Sequence, residues 1–293
     1  MGTSGSSSGS GSSTPLLPSW LDGPDTGSLP GGDGPSAPDP SGADTPSEAD
    51  TGKDDNKRPA VPPPATPERF RSARTNFSRF AKSGGSDHRA LRRAVRDYVR
   101  SGTGGSSNAA RRMGVSRAAA GNALGVFRSL QRDGVQETLR RLNLTNLSGR
   151  SVQDIFIGLT DVICRDGGPV DEAIARDAWL ETIAKLDQFG INDLAALTAD
   201  QVRELFLSFI AHTIEARLYQ EIGVNGFEFA EGLDDIDGFD KQFRDYIERS
   251  VRDSFANDLT QLPEMSDQTI KDVVDKTYLD AWNLVQLLGD REG

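Results

Sequence analysis

From position 199 to 223 the chain reads ADQVRELFLSFIAHTIEARLYQEIG, and its apolar residues return every three or four positions. Val202, Leu205, Phe206, Phe209, Ile210, Thr213, Ile214 and Leu218 share one face of a helix at 100° per residue, and Gly223 stops it. The same spacing recurs in 266-SDQTIKDVVDKTYLDAWNLVQLLG-289, where Ser266 can cap the helix start. No alternation of period two interrupts these segments. Helices are expected near 151–165, 171–188, 199–222, 238–257 and 267–288, with no internal repeat at a fixed period. The fold class is all-α, a helical bundle domain.

Ahead of the bundle the composition changes. Residues 1–67 hold thirteen of the fifteen prolines and a single aromatic, Trp20, with three basic against nine acidic residues. So little apolar surface cannot offset a backbone entropy of about 1 kcal/mol per residue. This stretch therefore reads as a long disordered Gly/Ser/Pro-rich N-terminal tail. Within it 15-PLLPSWL-21 stands out. Leu16, Leu17, Trp20 and Leu21 are exposed if the tail is unfolded, which suggests a docking segment; weak packing on the chain's own body, or on nothing, is the alternative.

Charge divides the remainder. Residues 68–132 carry fifteen Arg/Lys against three acids, and residues 133–293 carry fifteen basic against thirty-two acidic residues. Thr66-Pro67-Glu68 has the form of a helix start, and a second helix is expected from Asp87. There Arg89, Arg92, Arg93, Arg96 and Arg100 fall within about 100° of arc, opposite Leu91, Ala94, Val95 and Tyr98. A third helix is expected through 107-SNAARRMGVSRAAAGNALGVFRSLQRDG-134. Its Gly121 and Gly125, one turn apart, let another backbone come close, and Gly134 is a C-cap. The basic stripe can be neutralised by the acidic half, within the fold or between subunits. RNA or DNA contact and a merely solvated face are the alternatives.

Groups that could do chemistry are few. One cysteine, Cys164, excludes an internal disulfide and any zinc site built on two cysteines, and it reads as a structural residue of an apolar helix. His212 and Glu215 stand three apart, but the two histidines of the chain are too few for a carboxylate-bridged metal bundle, so His212 reads as a half-buried helix residue. In 231-EGLDDIDGFD-240 an EF-hand register puts Leu233 and Arg244 where oxygen ligands belong, so the stretch reads as a solvated loop. The glycine-rich 101-SGTGGSSN-108 lacks Gly-Lys-Ser/Thr and a preceding strand, which leaves a flexible connector capped by Ser107 or Asn108. No catalytic residue, metal site or cofactor is expected. No run of eighteen apolar residues exists and no secretory signal precedes the tail, which points to the cytosol. Met1-Gly2 with Ser6 satisfies the loose myristoylation pattern, as almost any Ser/Gly run does.

The start 1-MGTSGSSSG-9, the segment 15-PLLPSW-20 and the block 107-SNAARRMGVSRAAAGNALGVF-127 resemble the QatB family of the four-protein Qat anti-phage defence systems. That resemblance implies a bacterial cytosolic protein acting beside an ATPase, a QueC-like enzyme of the 7-deazaguanine type and a TatD-like metal-dependent nuclease. QueC-like enzymes of defence operons are associated with joining a deazaguanine base to a partner's N-terminal amine. The resemblance thus points to Gly2 as a conjugation site, read together with Thr3 and Ser4.

Overall fold

The computed structural model describes residues 68–165, 168–223, 233–257 and 259–290. The expectations placed on the tail, including Gly2, Thr3, Ser4, Leu16, Leu17, Trp20 and Leu21, lie outside the described residues. Among the described residues every regular element is helical. The chain runs through α1 (Arg71–Lys82), α2 (His88–Asp97), α3 (Ser106–Arg112), α4 (Gly114–Asp133), α5 (Val135–Arg141) and α6 (Val152–Gly158). It continues through α7 (Thr160–Ile163), α8 (Pro169–Ile183), α9 (Ala199–Leu218), α10 (Leu233–Ser254) and α11 (Asp267–Asp290). No helix among them is long and apolar enough to cross a membrane.

Local chemistry explains most boundaries. The Asp87 side chain accepts the Ala90 N–H at 3.0 Å and starts α2. Thr198 and Gln201 form a reciprocal capping box on α9. Pro169 occupies the first turn of α8, where its missing N–H costs nothing. The α1–α2 turn passes through Gly84 and Gly85 at φ +58° and +84°, a backbone region open to glycine.

Several expected boundaries shift. Glu68–Phe70 form a turn and α1 begins only at Arg71; Thr66 and Pro67 lie outside the described residues. The expected helix over 107–134 starts one residue earlier and breaks at Met113, whose N–H bonds back to Ala110 rather than one residue further. Gly114 follows, and a glycine gives up little helical stability at such a break. The helix over 151–165 breaks likewise at Leu159, just after Gly158. The stretch 231–240 is no loop from Leu233 onward, because α10 already runs there.

Helix α9 is the axle. From Leu205 to Glu215 every residue is buried, so the one-sided stripe expected from spacing understates it. Around it aromatic rings gather from both charge segments. Phe77 and Phe80 of α1 meet Phe239 and Phe243 of α10, with Phe77 and Phe243 ring centres 5.0 Å apart. Phe127 of α4, Phe156 of α6, Trp179 of α8 and Phe209 of α9 form a second group, in which Phe156 and Trp179 stack at 5.4 Å. Trp179 also donates its indole N–H to the Phe156 carbonyl at 3.1 Å. Phe70, Tyr98 and Trp282 stack in sequence at 5.3 and 5.5 Å. The basic and acidic segments therefore share one hydrophobic core.

Candidate functional site

Two π-helical turns, Tyr98–Thr103 and Tyr219–Gly223, prolong α2 and α9. Such turns are uncommon and gather at functional places. Of the flexible connector expected at 101–108, α3, with Gly105 rather than Ser107 or Asn108 at its N-cap, takes up 106–108, and the first of the two turns takes up 101–103. Gly102 and Thr103 are buried there, and the Phe70 ring packs so close that a Cβ on Gly102 would stand 2.5 Å from it. The Thr103 hydroxyl donates to the Val99 carbonyl at 2.8 Å, and α3 then starts at Ser106 after Gly105.

The two turns meet at Glu221. One carboxylate oxygen accepts from Arg112 at 2.7 Å and lies 3.5 Å from Arg217; the other accepts the Tyr98 hydroxyl at 3.1 Å. The Glu221 carbonyl accepts from the Arg74 guanidinium at 3.0 Å. Arg217, itself buried, also pairs with Asp171. Arg74, Arg112, Asp171, Arg217 and Glu221 line a cleft of about 500 Å³ together with Phe70 and Gly168–Val170. Burial keeps Tyr98 protonated well above the ordinary phenol range, reinforced by the Glu221 charge. Burial alone would lower the Arg112 pKa, but the hydrogen bond and charge of Glu221 more than reverse that. Glu221 and Asp171 oppose the charges of Arg112 and Arg217, and Arg74 is held on a backbone carbonyl, so the arrangement works as a strut between α1–α3 and α9. None of its groups is an activated nucleophile.

Two further struts cross between the charge segments. Arg117 of α4 donates to Asp275 of α11 at 2.8 Å, and Arg128 pairs with Asp267 at 2.6 Å. Burial pushes the Asp275 carboxyl up, but hydrogen bonds from Lys271 and Arg117 outweigh it and hold the group below the usual carboxylate range.

The arginine stripe of α2 is divided by α11. A Cβ on Gly289 would stand 2.8 Å from the Arg92 carbonyl oxygen and 2.5 Å from the Arg96 Cβ, so α11 crosses on that side. Arg92 and Arg96 are half-buried, and Arg96 is bound to its neighbour Asp97 at 2.8 Å. Arg89, Arg93 and Arg100 are exposed. The turn to π geometry at Tyr98 places Arg100 outside the regular helix that its spacing assumed.

The remaining candidates are interior. His212 is fully buried rather than half-buried, with Nδ1 3.3 Å from Glu215 Oε2 and Nε2 4.0 Å from Glu248 Oε1. Arg244 reaches the same Glu215 at 3.4 Å and Lys185 pairs with Glu248, so the cluster is ionic packing beside α9. Cys164 is fully buried, its thiol 3.4 Å from the Ala175 carbonyl, and burial pushes it up to about 12. Among the described residues no group of three or more His, Cys, Asp and Glu is placed to hold a metal. The Glu221 hub was not anticipated from sequence. Apart from Arg217, its partners Arg74, Tyr98 and Arg112 are more than a hundred residues away from it, and only the abrupt change of charge near residue 133 pointed to such pairing.

Comparison with protein families matches residues 104–285 to the Qat anti-phage system associated protein QatB. No curated protein and no solved structure matches the chain. The matched span covers more than half of the sequence and takes in α4, α9 and most of α11, the helices that carry the core and the struts. The chain belongs to the QatB family of the Qat anti-phage system.

Proposed function

We propose that the chain is a non-enzymatic scaffold or adaptor of a bacterial anti-phage defence complex, acting in the cytoplasm beside the other Qat components. Those components are an ATPase, a QueC-like subunit and a TatD-like nuclease subunit. One observation carries this reading: arginines of the basic segment close onto Glu221, Asp267 and Asp275 of the acidic segment. Charge that could have gripped a polyanion is used to join two halves into one body, which suits a platform for other proteins.

Gly2 is the substrate end of that platform. Its small size permits removal of Met1 and leaves a free amine with no side chain to obstruct a narrow active site. Thr3 and Ser4 are read with it, and the Gly/Ser run behind is a leash with a reach of roughly 40 Å over about sixty residues. Leu16, Leu17, Trp20 and Leu21 dock a partner. A deazaguanine base joined to the Gly2 amine by the QueC-like subunit adds a fixed mass to the chain. Intact-mass measurement on protein from cells expressing the whole system during active defence tests this. An unmodified terminus there, or full immunity with Gly2→Pro, removes the conjugation role. Full immunity after deletion of residues 2–14 leaves only the scaffold.

A nucleic-acid-binding adaptor is the second reading, favoured by the outward Arg89, Arg93 and Arg100. It requires affinity for DNA or RNA that falls steeply with salt and is lost on reversing those three charges. Salt-independent or absent binding eliminates it.

A further inference from the structure

A groove runs along the outer face of α4, about 620 Å³ in volume. Ala118, Gly121 and Gly125 form its floor, spaced three and four apart on one helix face. Ile270 and Val274 of α11 flank it, as do Leu142 and Val162 beyond α5 and on α7. The lining residues of α4 run from Gly114 to Ser129, which at 1.5 Å per residue is about 22 Å, or four helical turns. Apart from the helix's own nearby backbone, no atom of the described residues lies within 4 Å of where a Cβ on Gly121 or Gly125 would stand. The close backbone approach that the two glycines permit is therefore left unused by the described part of the chain.

The rim decides what belongs there. Arg117 and Lys271 share Asp275, Arg128 pairs with Asp267, and Arg141 pairs with Asp133 and Glu137, so the excess of positive charge on the rim is small and centred on Arg165. Arg165 at its edge is exposed. A second copy presenting the same groove would set this excess of positive charge against itself. An apolar floor beside a cationic edge instead selects an apolar face flanked by carboxylates. The straight four-turn length and the missing Cβ atoms suit a helix that packs closer than large side chains would allow.

We propose that this groove is the docking cleft for one α-helix of another Qat component, apolar at i, i+3, i+4 and i+7 and bordered by Asp and Glu. The inference rests on the scaffold reading and gives it a surface. In the test the full chain is tagged, co-expressed with the other components and recovered with whatever co-purifies. Gly125→Leu and Gly121→Leu fill the floor with a side chain whose Cβ meets no neighbouring element. Recovery of one component should fall about tenfold while the melting temperature stays at or above that of the unaltered chain. Arg165→Glu should lower the same recovery several-fold, with the difference shrinking at high salt. A photo-crosslinking residue at the exposed Ala118 should join to an acid-flanked helix of that component. Undiminished recovery with a filled floor overturns the inference. So does a crosslink to a second copy, to the same chain, or to a basic segment. If the unaltered chain recovers no Qat component at all, the scaffold reading itself fails and the groove assignment with it.

Discussion

Replacing both Gly121 and Gly125 with alanine should make this protein more stable. Each glycine lies inside a twenty-residue helix with ordinary negative φ, so alanine fits the backbone without strain. Each new Cβ would point into the open groove and, apart from the helix's own nearby backbone, meet no described atom within 4 Å, so no clash opposes the change. The remaining term is intrinsic. Glycine in a helix interior is about 1 kcal/mol worse than alanine, which gives about 2 kcal/mol for the pair. In a unit of this size each kcal/mol moves Tm by about 2–4 °C, so the double variant should melt roughly 4–8 °C higher. Gly289→Ala is the control with the opposite sign. Its Cβ would lie 2.8 Å from the Arg92 carbonyl oxygen, a backbone atom that cannot move aside, and overpacking of that kind costs about 1–3 kcal/mol. Differential scanning calorimetry of the three proteins decides the matter. An unchanged or lowered Tm for the double alanine variant, or a raised one for Gly289→Ala, would refute the reasoning. The expected gain also gives the groove a meaning in energy: two residues that weaken the helix stand where filling them would narrow a docking surface.

Glu221→Gln removes the charge that Arg112 and Arg217 share in a nearly buried place, and should cost about 3 kcal/mol in urea unfolding, with Arg217 kept from a larger loss by Asp171. Cys164, fully buried with its thiol held up near 12, should ignore a thiol reagent at pH 8 in the folded protein and react at once in denaturant, as absorbance of the released chromophore reads directly. Asp275 has a folded pKa below its unfolded value, so its contribution is complete above about pH 4 and is lost as pH falls through the folded value. Stability measured from pH 6 to pH 2 should therefore decline less steeply in Asp275→Asn than in the unaltered chain.

Periodicity made α9 and α11 legible, and the Asp87 cap was legible as a residue type before a helical pattern. These are local signals, set within four residues. The breaks at Met113 and Leu159 were not, because glycine lowers the cost of a break without requiring one. The two π turns escaped for the same reason: nothing in the spacing of YVRSGT or YQEIG announces a widened turn that packing imposes. The arginine stripe was visible as a face. Which members are covered depended on α11 crossing near Gly289, almost two hundred residues further along. Composition showed that opposite charges were available, but pairing across separations of 109, 139 and 158 residues required the fold.

The struts also set an order of events at the ribosome. Synthesis proceeds at about 5–20 residues per second, so the 158 residues between Arg117 and Asp275 take roughly 8–30 s to make. Until the end of that interval Arg117 and Arg128 wait for Asp275 and Asp267 beside ribosomal RNA, although Glu221, the partner of Arg112, is translated earlier. Tyr278 and Trp282, which complete the interior, emerge later still. A nascent chain of this design cannot seal its first helices early, and its yield in the cell will depend on what shields them until α11 emerges.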